Sequence, residues 1–252
     1  MTAMITLEFT PPVAILVLSS PPMNALSPDL IGEIETALDQ VTARGDIHIL
    51  RIRSSGKAFC AGADLGVVSA IMAAADPGQE MARFVGAFHR LNHRLAALDA
   101  ITIAEIEGAA VGGGLELALA CDFRVATERA RLGLPEAKLG LIPAAGGTFR
   151  LRQIAGLPLA RRLILKGDII GAEEAMAQGL VDAVLRGTEE DIRAGFEAFA
   201  ATIAGNGTAA VLAAKRCLAA PPEHGEEAEI EAISDLVSDP ETRKRVNAFL
   251  RH

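Results

Sequence analysis

Apolar residues along the chain follow two rhythms, and the order in which they come predicts the elements. PVAILVLSS (Pro12–Ser20) is a short apolar run bounded by proline, the mark of a buried strand. PPMNAL (Pro21–Leu26) is a loop. Ser27 then stands where a helix N-cap belongs, with Pro28 at the first helical position, and LIGEIETALDQV carries apolar residues at helical spacing. IHILRIRSS (Ile47–Ser55) alternates Ile and Leu with His and Arg and predicts a second strand. GKAFCAGADL (Gly56–Leu65) reads as a loop. Gln79–Leu98 predicts an amphipathic helix with Phe84, Phe88, Leu91 and Leu95 on one face. ITIAEIEG predicts a strand, GLELALACDF a helix, and FRVATERARLGLPEA a strand, a turn and a short strand.

Strands and helices therefore alternate through roughly the first 185 residues, which predicts an α/β architecture. From Glu189 onward the spacing is helical only, with breaks at Gly205-Asn206-Gly207 and at Pro221-Pro222. The expected division is an α/β core over residues 1–188 and a helical region over 189–252. Neither a fixed-period repeat nor a low-complexity tract interrupts this order.

Composition narrows the function classes. Half of the 252 residues are apolar, so a sizeable core is available. There is no Tyr or Trp, and the net charge is −8, which leaves few stacking surfaces and opposes a polyanion; no nucleic-acid partner is expected. The three cysteines, Cys60, Cys121 and Cys217, are odd in number and widely spaced, which predicts small buried hydrophobes in a reducing compartment and a cytoplasmic location. MTAMITLEFTPP lacks the basic start of a secretory signal. The apolar run Ile101–Phe123 contains Glu105, Glu107 and Glu116, so no membrane span is expected. Among His48, His89, His93, His224 and His252, only His89 and His93 have ligand-like spacing; they lack a third partner, and no metal is expected.

One stretch demands a chemical account. GAAVGGGLELALACD (Gly108–Asp122) places three consecutive glycines and one carboxylate, Glu116, among apolar residues. Glycines cost backbone entropy, and an ionised Glu among Leu and Ala costs solvation. No Gly-Lys-Ser/Thr follows, and contiguous glycines fit the dinucleotide pattern poorly. A helix beginning near Gly113 would present N–H groups that have no intrahelical partner, at the positive end of its dipole. Such an end suits negative charge developing on a thioester or ester oxygen, with Glu116 about one turn further on. The same stretch would also serve tight helix–strand packing, with Glu116 favouring a helix start. Taken by itself it supports both readings.

The wider sequence supplies a resemblance. IAEIEGAAVGGGLELALACDF resembles the signature of the crotonase (enoyl-CoA hydratase/isomerase) family. GKAFCAGADL is similar to that family's oxyanion and CoA loop, and LGLPEAKLGLIPAAGGTFRLRQIAG to its second catalytic segment. PPMNALS matches an early family loop, and LILKGDIIGAEEAMAQGLVDAV the segment that joins core to tail; the motifs run in family order from Asn24 to Val184. The resemblance implies a spiral of ββα turns with a C-terminal helical trimerisation region, hence a homotrimer or a dimer of trimers. It implies that the backbone N–H groups of Ala63 and Gly113 polarise an acyl-CoA thioester carbonyl. It makes Glu116 and Glu136, twenty residues apart, the two glutamates of a hydratase; isomerases typically keep a carboxylate at only one such position. Lys57, Ala61, Ala63, Asp64, Leu65, Gly112 and Gly113 become candidate substrate and CoA contacts, Asp64 chiefly as a hydrogen-bonding brace for its loop. No cofactor is implied, because the CoA arrives as part of the substrate.

The implied activity is addition of water to a 2-enoyl-CoA to give a 3-hydroxyacyl-CoA. Isomerisation, or another crotonase reaction on an unusual acyl group, is the alternative; the acidic charge and complete site argue against a non-catalytic scaffold or RNA-binding relative. Some positions depart from the pattern. Ile101 replaces a common Pro, Glu105 an Ala, Glu107 an Asn or His, and Gly66 a Lys that assists CoA binding in some hydratases. Glu105 and Glu107 share a strand face, expected at a solvent edge, or beside Arg51 or Arg53 if buried. Thr148 is expected to cap the helix after Gly146-Gly147. Arg150, Arg152, Arg161 and Arg162 are expected on a solvated or subunit-facing surface.

Overall fold

The computed structural model describes residues 3–251; Met1, Thr2 and His252, the last among the histidines considered above, lie outside the described residues. An antiparallel hairpin of β1 (Ile5–Thr10) and β2 (Val13–Leu18) opens the main sheet. Helix α1 (Pro28–Thr42) follows, and the Ser27 side chain accepts the Leu30 N–H as its N-cap. β3 (Ile49–Ser54) then lies parallel to β2.

Three ββ units build the rest of the core. β3 continues into β4 (Ala58–Cys60), β5 (Ile101–Ile106) into β6 (Ala109–Val111), and β7 (Phe123–Thr127) into β8 (Arg131–Gly133). The first strand of each unit joins the main sheet and the second joins a smaller sheet. Helices follow each unit: α2 (Leu65–Met72) and α3 (Pro77–Ala96), then α4 (Gly113–Leu119), then a 3₁₀ turn (Pro135–Leu139) and α5 (Gly147–Leu165). α5 is broken at Gly156, whose φ is 79°, just before Pro158. β9 (Ile169–Gly171), α6 (Ala172–Ala177) and β10 (Ala183–Leu185) complete the sheets, in the orders β1-β2-β3-β5-β7-β10 and β4-β6-β8-β9. GKAFCAGADL is therefore not all loop: its AFC is β4, paired in parallel with β6.

Both faces of the central parallel strands of the main sheet are buried, as such strands require. On one face Leu16, Leu50, Ile52 and Ala104 join α1 and α3 in the larger core. On the other, Ile49, Ile101, Ile103 and Val125 meet Ile192, Phe196, Ala200 and Leu212. The latter four belong to α7 (Glu189–Ala204) and α8 (Thr208–Ala219). The start of α7 coincides with the expected boundary at 188/189, yet α7 and α8 share a core with the sheet. Each of the larger side chains among them contributes about 1.5–3 kcal/mol. A 3₁₀ turn (Pro222–His224), α9 (Gly225–Leu236) and α10 (Pro240–Phe249) follow, and α9 and α10 bury none of their residues. No described helix is long and apolar enough to cross a membrane.

Glu105 overturns the solvent-edge expectation: it is 2% exposed and paired with buried Arg51. Arg150, expected on a solvated face, is buried too. Thr148 does not cap α5; Gly146, with φ 111°, takes the N-cap position without any side-chain bond, and Thr148 is exposed.

Candidate active site

The three glycines do three different jobs at the start of α4. Gly112 ends β6 with φ 55°, a conformation that side chains disfavour, and its N–H donates to the Gly133 carbonyl at 2.9 Å. A Cβ on Gly113 would lie 2.7 Å from Phe88 Cε1 and 3.3 Å from the Ala63 nitrogen. A Cβ on Gly114 would lie 2.1 Å from the Cys60 carbonyl oxygen, so this glycine lets α4 sit directly on the β4 backbone. The packing reading of the triplet thus holds at Gly114, and Gly113 is left open toward Ala63.

Ala63 is turned to face it. The Leu26 N–H donates to the Gly62 carbonyl at 2.8 Å and the Asp64 N–H to the Leu26 carbonyl at 3.1 Å. That parallel bridge leaves the intervening Ala63 N–H on the opposite side. Neither the Ala63 nor the Gly113 N–H donates a hydrogen bond among the described residues. Asp64 braces the loop: its Oδ1 accepts the Gly66 N–H at 2.7 Å and the Val67 N–H at 3.3 Å as the N-cap of α2.

These groups border a cavity of about 280 Å³. Ala61, Ala63, Leu65, Gly112, Gly113, Glu116 and Glu136 all line it. Its apolar wall includes Val68, Met81, Phe84, Val85, Phe88 and Leu141. Lys57 does not reach it. The Lys57 carbonyl packs against Gly108, where a Cβ would meet it at 1.9 Å, and the residue borders a separate polar cavity with Arg51, Arg53 and Arg129. Asp64 is likewise absent from the lining.

Glu116 is 3% exposed in the first turn of α4. Its Oε1 accepts the Ala145 N–H at 2.7 Å and the Gly147 N–H at 2.8 Å, which ties α4 to the start of α5. Burial pushes its pKa up to about 7; the two N–H donors and Arg150 pull it down, while Glu136 pushes it further up. Glu136 is held differently, on the 3₁₀ turn over Gly112, where a Cβ would come within 3.0 Å of its Oε1. Its Oε2 is buried with no partner, and burial raises its pKa with only its own backbone N–H to oppose it. Two N–H donors thus hold the Glu116 carboxyl in place against the cost of its burial, whereas Glu136 Oε2 has no such partner.

Two further residues support the site, and one of them, Asn92, lies in no motif. Asn92 on α3 is fully buried, and its Nδ2 donates to the Ala145 carbonyl at 2.9 Å; Arg150 Nη1 reaches the same oxygen at 3.4 Å. The available signal was an amide on the apolar stripe of α3, two turns beyond Phe84. Among the described residues no group of three His, Cys, Asp or Glu side chains converges as a metal site.

Comparisons with known proteins give the family and the fold. A family model described as enoyl-CoA hydratase/isomerase matches residues 8–250. The chain is 40% identical over 168 residues to the mitochondrial methylglutaconyl-CoA hydratase of Mus musculus, covering 66% of this chain and 52% of that protein. It is 37% identical over 187 residues to the crotonyl-CoA hydratase of Syntrophomonas wolfei, covering 73% of this chain and 70% of that one. The match thus spans about half the length of the mouse relative. A crystal structure of an enoyl-CoA hydratase from Bacillus anthracis superposes with a TM-score of 0.90 at 32% identity, covering 99% of this chain and 96% of that one.

Proposed function

The chain belongs to the enoyl-CoA hydratase/isomerase family, and from that premise we propose that it adds water to the double bond of a 2-enoyl-CoA. One observation carries the reading: Glu116 and Glu136 line one cavity beside the unengaged N–H groups of Ala63 and Gly113. In this reading the thioester oxygen accepts both N–H groups. Polarisation of the carbonyl makes Cβ electrophilic, and each such donor is worth about 3–4 kcal/mol in the transition state. Glu116, whose ionised form is held by two N–H donors, takes a proton from water as the oxygen bonds to Cβ. The π electrons move toward Cα, which receives the proton of Glu136. Water has then been split across the bond, the carboxyls have exchanged protonation states, and solvent exchange resets them.

Ala61, Leu65 and Gly112 would flank the thioester, and the apolar wall would take an uncharged acyl chain. The reading requires no cofactor, since CoA enters as the thioester, and no nucleic-acid partner. The unbridged Cys60, Cys121 and Cys217 support a cytoplasmic site of action. We further propose a homotrimer or dimer of trimers. Ile230 and Ile233 lie on α9 with Val237 at its C-cap, and Val246 and Phe249 lie on α10 with Leu250 at its C-cap; all six are more than half exposed.

The test is purified protein with crotonyl-CoA and longer 2-enoyl-CoAs. Loss of enoyl absorbance with a mass gain of one water is expected. Unchanged mass with a moved double bond would make the enzyme an isomerase, and no reaction at any chain length would overturn the hydratase assignment.

A further inference from the structure

Helix α3 touches the site at three successive turns. Phe84 and Phe88 form part of the cavity wall, and Phe88 also crowds Gly113. Asn92, the next residue at this spacing, reaches the brace of Glu116 instead. The Ala145 carbonyl that it binds belongs to the peptide between Ala145 and Gly146. The two N–H groups that hold Glu116 lie immediately on either side of that peptide, at Ala145 and Gly147. Between them Gly146 adopts φ 111°, so the backbone here is bent and not held by helical bonding alone.

We propose that Asn92 is a positioning residue for the Glu116 carboxylate, acting through the Ala145–Gly147 backbone; the proposal rests on the hydratase reading. Asn92 never touches the substrate cavity. Its Nδ2 fixes the orientation of one peptide, and the two peptides that flank it aim their N–H groups at one carboxylate oxygen. Its other amide atom points the same way by a different route. Oδ1 is buried without a partner. An unsatisfied buried acceptor destabilises a fold, and an apolar side chain of the same shape would avoid it. A residue present only for packing would not be an amide here. Charges that face Glu116 are Glu136 from the 3₁₀ turn and Arg150 from α5. Both remain in an Asn92 variant, and Arg150 remains on the Ala145 carbonyl.

The test is Asn92→Leu, with Asn92→Asp as a second variant of nearly unchanged shape. Asn92→Leu should retain or raise the melting temperature. It should lower kcat on crotonyl-CoA by about 10–100-fold, as expected for a slightly misaimed reactive group, with KM within about two-fold. The acid limb of the kcat profile should move to higher pH, because weaker donors favour ionised Glu116 less. In a Glu116→Gln background the same change should cost little more. Carbon-13 NMR of labelled glutamate adds a readout independent of turnover: the Glu116 titration midpoint should rise in Asn92→Leu. An equal fractional loss of kcat in both backgrounds, or an unmoved midpoint in both variants, would overturn the proposal. A parent enzyme that hydrates nothing, but in which the midpoint still moves, would overturn the hydratase reading alone.

Discussion

Arg51 Nε donates to Glu105 Oε1 between neighbouring strands β3 and β5, and both side chains are almost wholly removed from solvent. Ile49 and Arg51 alternate onto the same sheet face as Ile101, Ile103 and Glu105, which α7 and α8 cover lower down. The pair therefore sits at the upper end of an apolar interface. Burial raises the Glu105 pKa and the Arg51 cation opposes that rise. Removing one partner strands a buried charge, which typically costs about 3–5 kcal/mol, whereas replacing both by apolar residues can be neutral. Glu105→Ala should therefore unfold at markedly lower urea concentration than the parent. Arg51→Leu combined with Glu105→Leu should recover most of that loss. Hydration rates per folded molecule should stay within two-fold, because neither residue lines the candidate cavity.

Glu116 makes the opposite prediction about charge. Its pKa is about 7 in the fold, against about 4.3 in an unfolded chain. The folded state therefore holds this proton more tightly. The resulting stability is complete below about pH 4.3 and is lost as pH rises to about 7. Glu116→Gln cannot ionise, so it keeps what the parent loses, on the order of 3–4 kcal/mol. The melting temperature of the variant minus that of the parent should grow from pH 5 to pH 8, and a flat difference would contradict the raised pKa. Turnover should fall by about 10²–10⁴-fold at the same time.

Gly113 and Gly114 separate function from packing. At Gly114 the obstacle to a Cβ is the Cys60 carbonyl at 2.1 Å, which is backbone and cannot swing away. Gly114→Ala should misfold or melt far below the parent. At Gly113 the obstacle is the rim of the Phe88 ring, with the Ala63 nitrogen 3.3 Å away. A shift of that ring admits the methyl, which then occupies the space between the two N–H donors. Gly113→Ala should fold, by circular dichroism and melting, yet lose about 10²–10³-fold in kcat.

Local chemistry made much of this legible in advance. Ser27 and Pro28 announced α1, the spacing of Phe84 and Phe88 announced α3, and the family resemblance of the loop, glycine and Pro-Glu motifs pointed to Ala63, Gly113, Glu116 and Glu136, which line one cavity. What stayed hidden depended on neighbours distant in sequence. ITLEFT alternates at period two and forms β1, a partly exposed edge strand that only its antiparallel pairing with β2 defines. AFC is too short to show any period, and becomes a strand only because Ala109–Val111 lies beside it. Glu105 looked like a surface residue until α7 covered one end of its sheet face. Asn92 and Arg150 act through the carbonyl of Ala145, an atom that the side-chain alphabet does not describe. Lys57 sits directly before the buried Ala58, Phe59 and Cys60, but its own side chain is exposed.

The cavity wall predicts which acyl groups are refused. Val68, Met81, Phe84, Val85, Phe88 and Leu141 offer no donor and no cation, and the only ionisable side chains on the lining are Glu116 and Glu136. A carboxylate at the tip of the acyl chain would lose its hydration without gaining a partner and would face two acidic groups. Even a few kcal/mol of that penalty corresponds to a hundred-fold or more in kcat/KM. The enzyme should therefore favour 2-hexenoyl-CoA over a 2-enoyl-CoA of equal length ending in a carboxylate by about 10²-fold or more. Val85 is only partly buried, so an arginine there can keep its head near solvent while reaching the acyl tip. Val85→Arg should narrow the ratio from both sides, by slowing the neutral substrate and accelerating the charged one. Competition between the two thioesters, followed by mass spectrometry, reads the ratio directly. Equal use of both by the parent enzyme would mean that a cation outside this lining reaches the acyl tip.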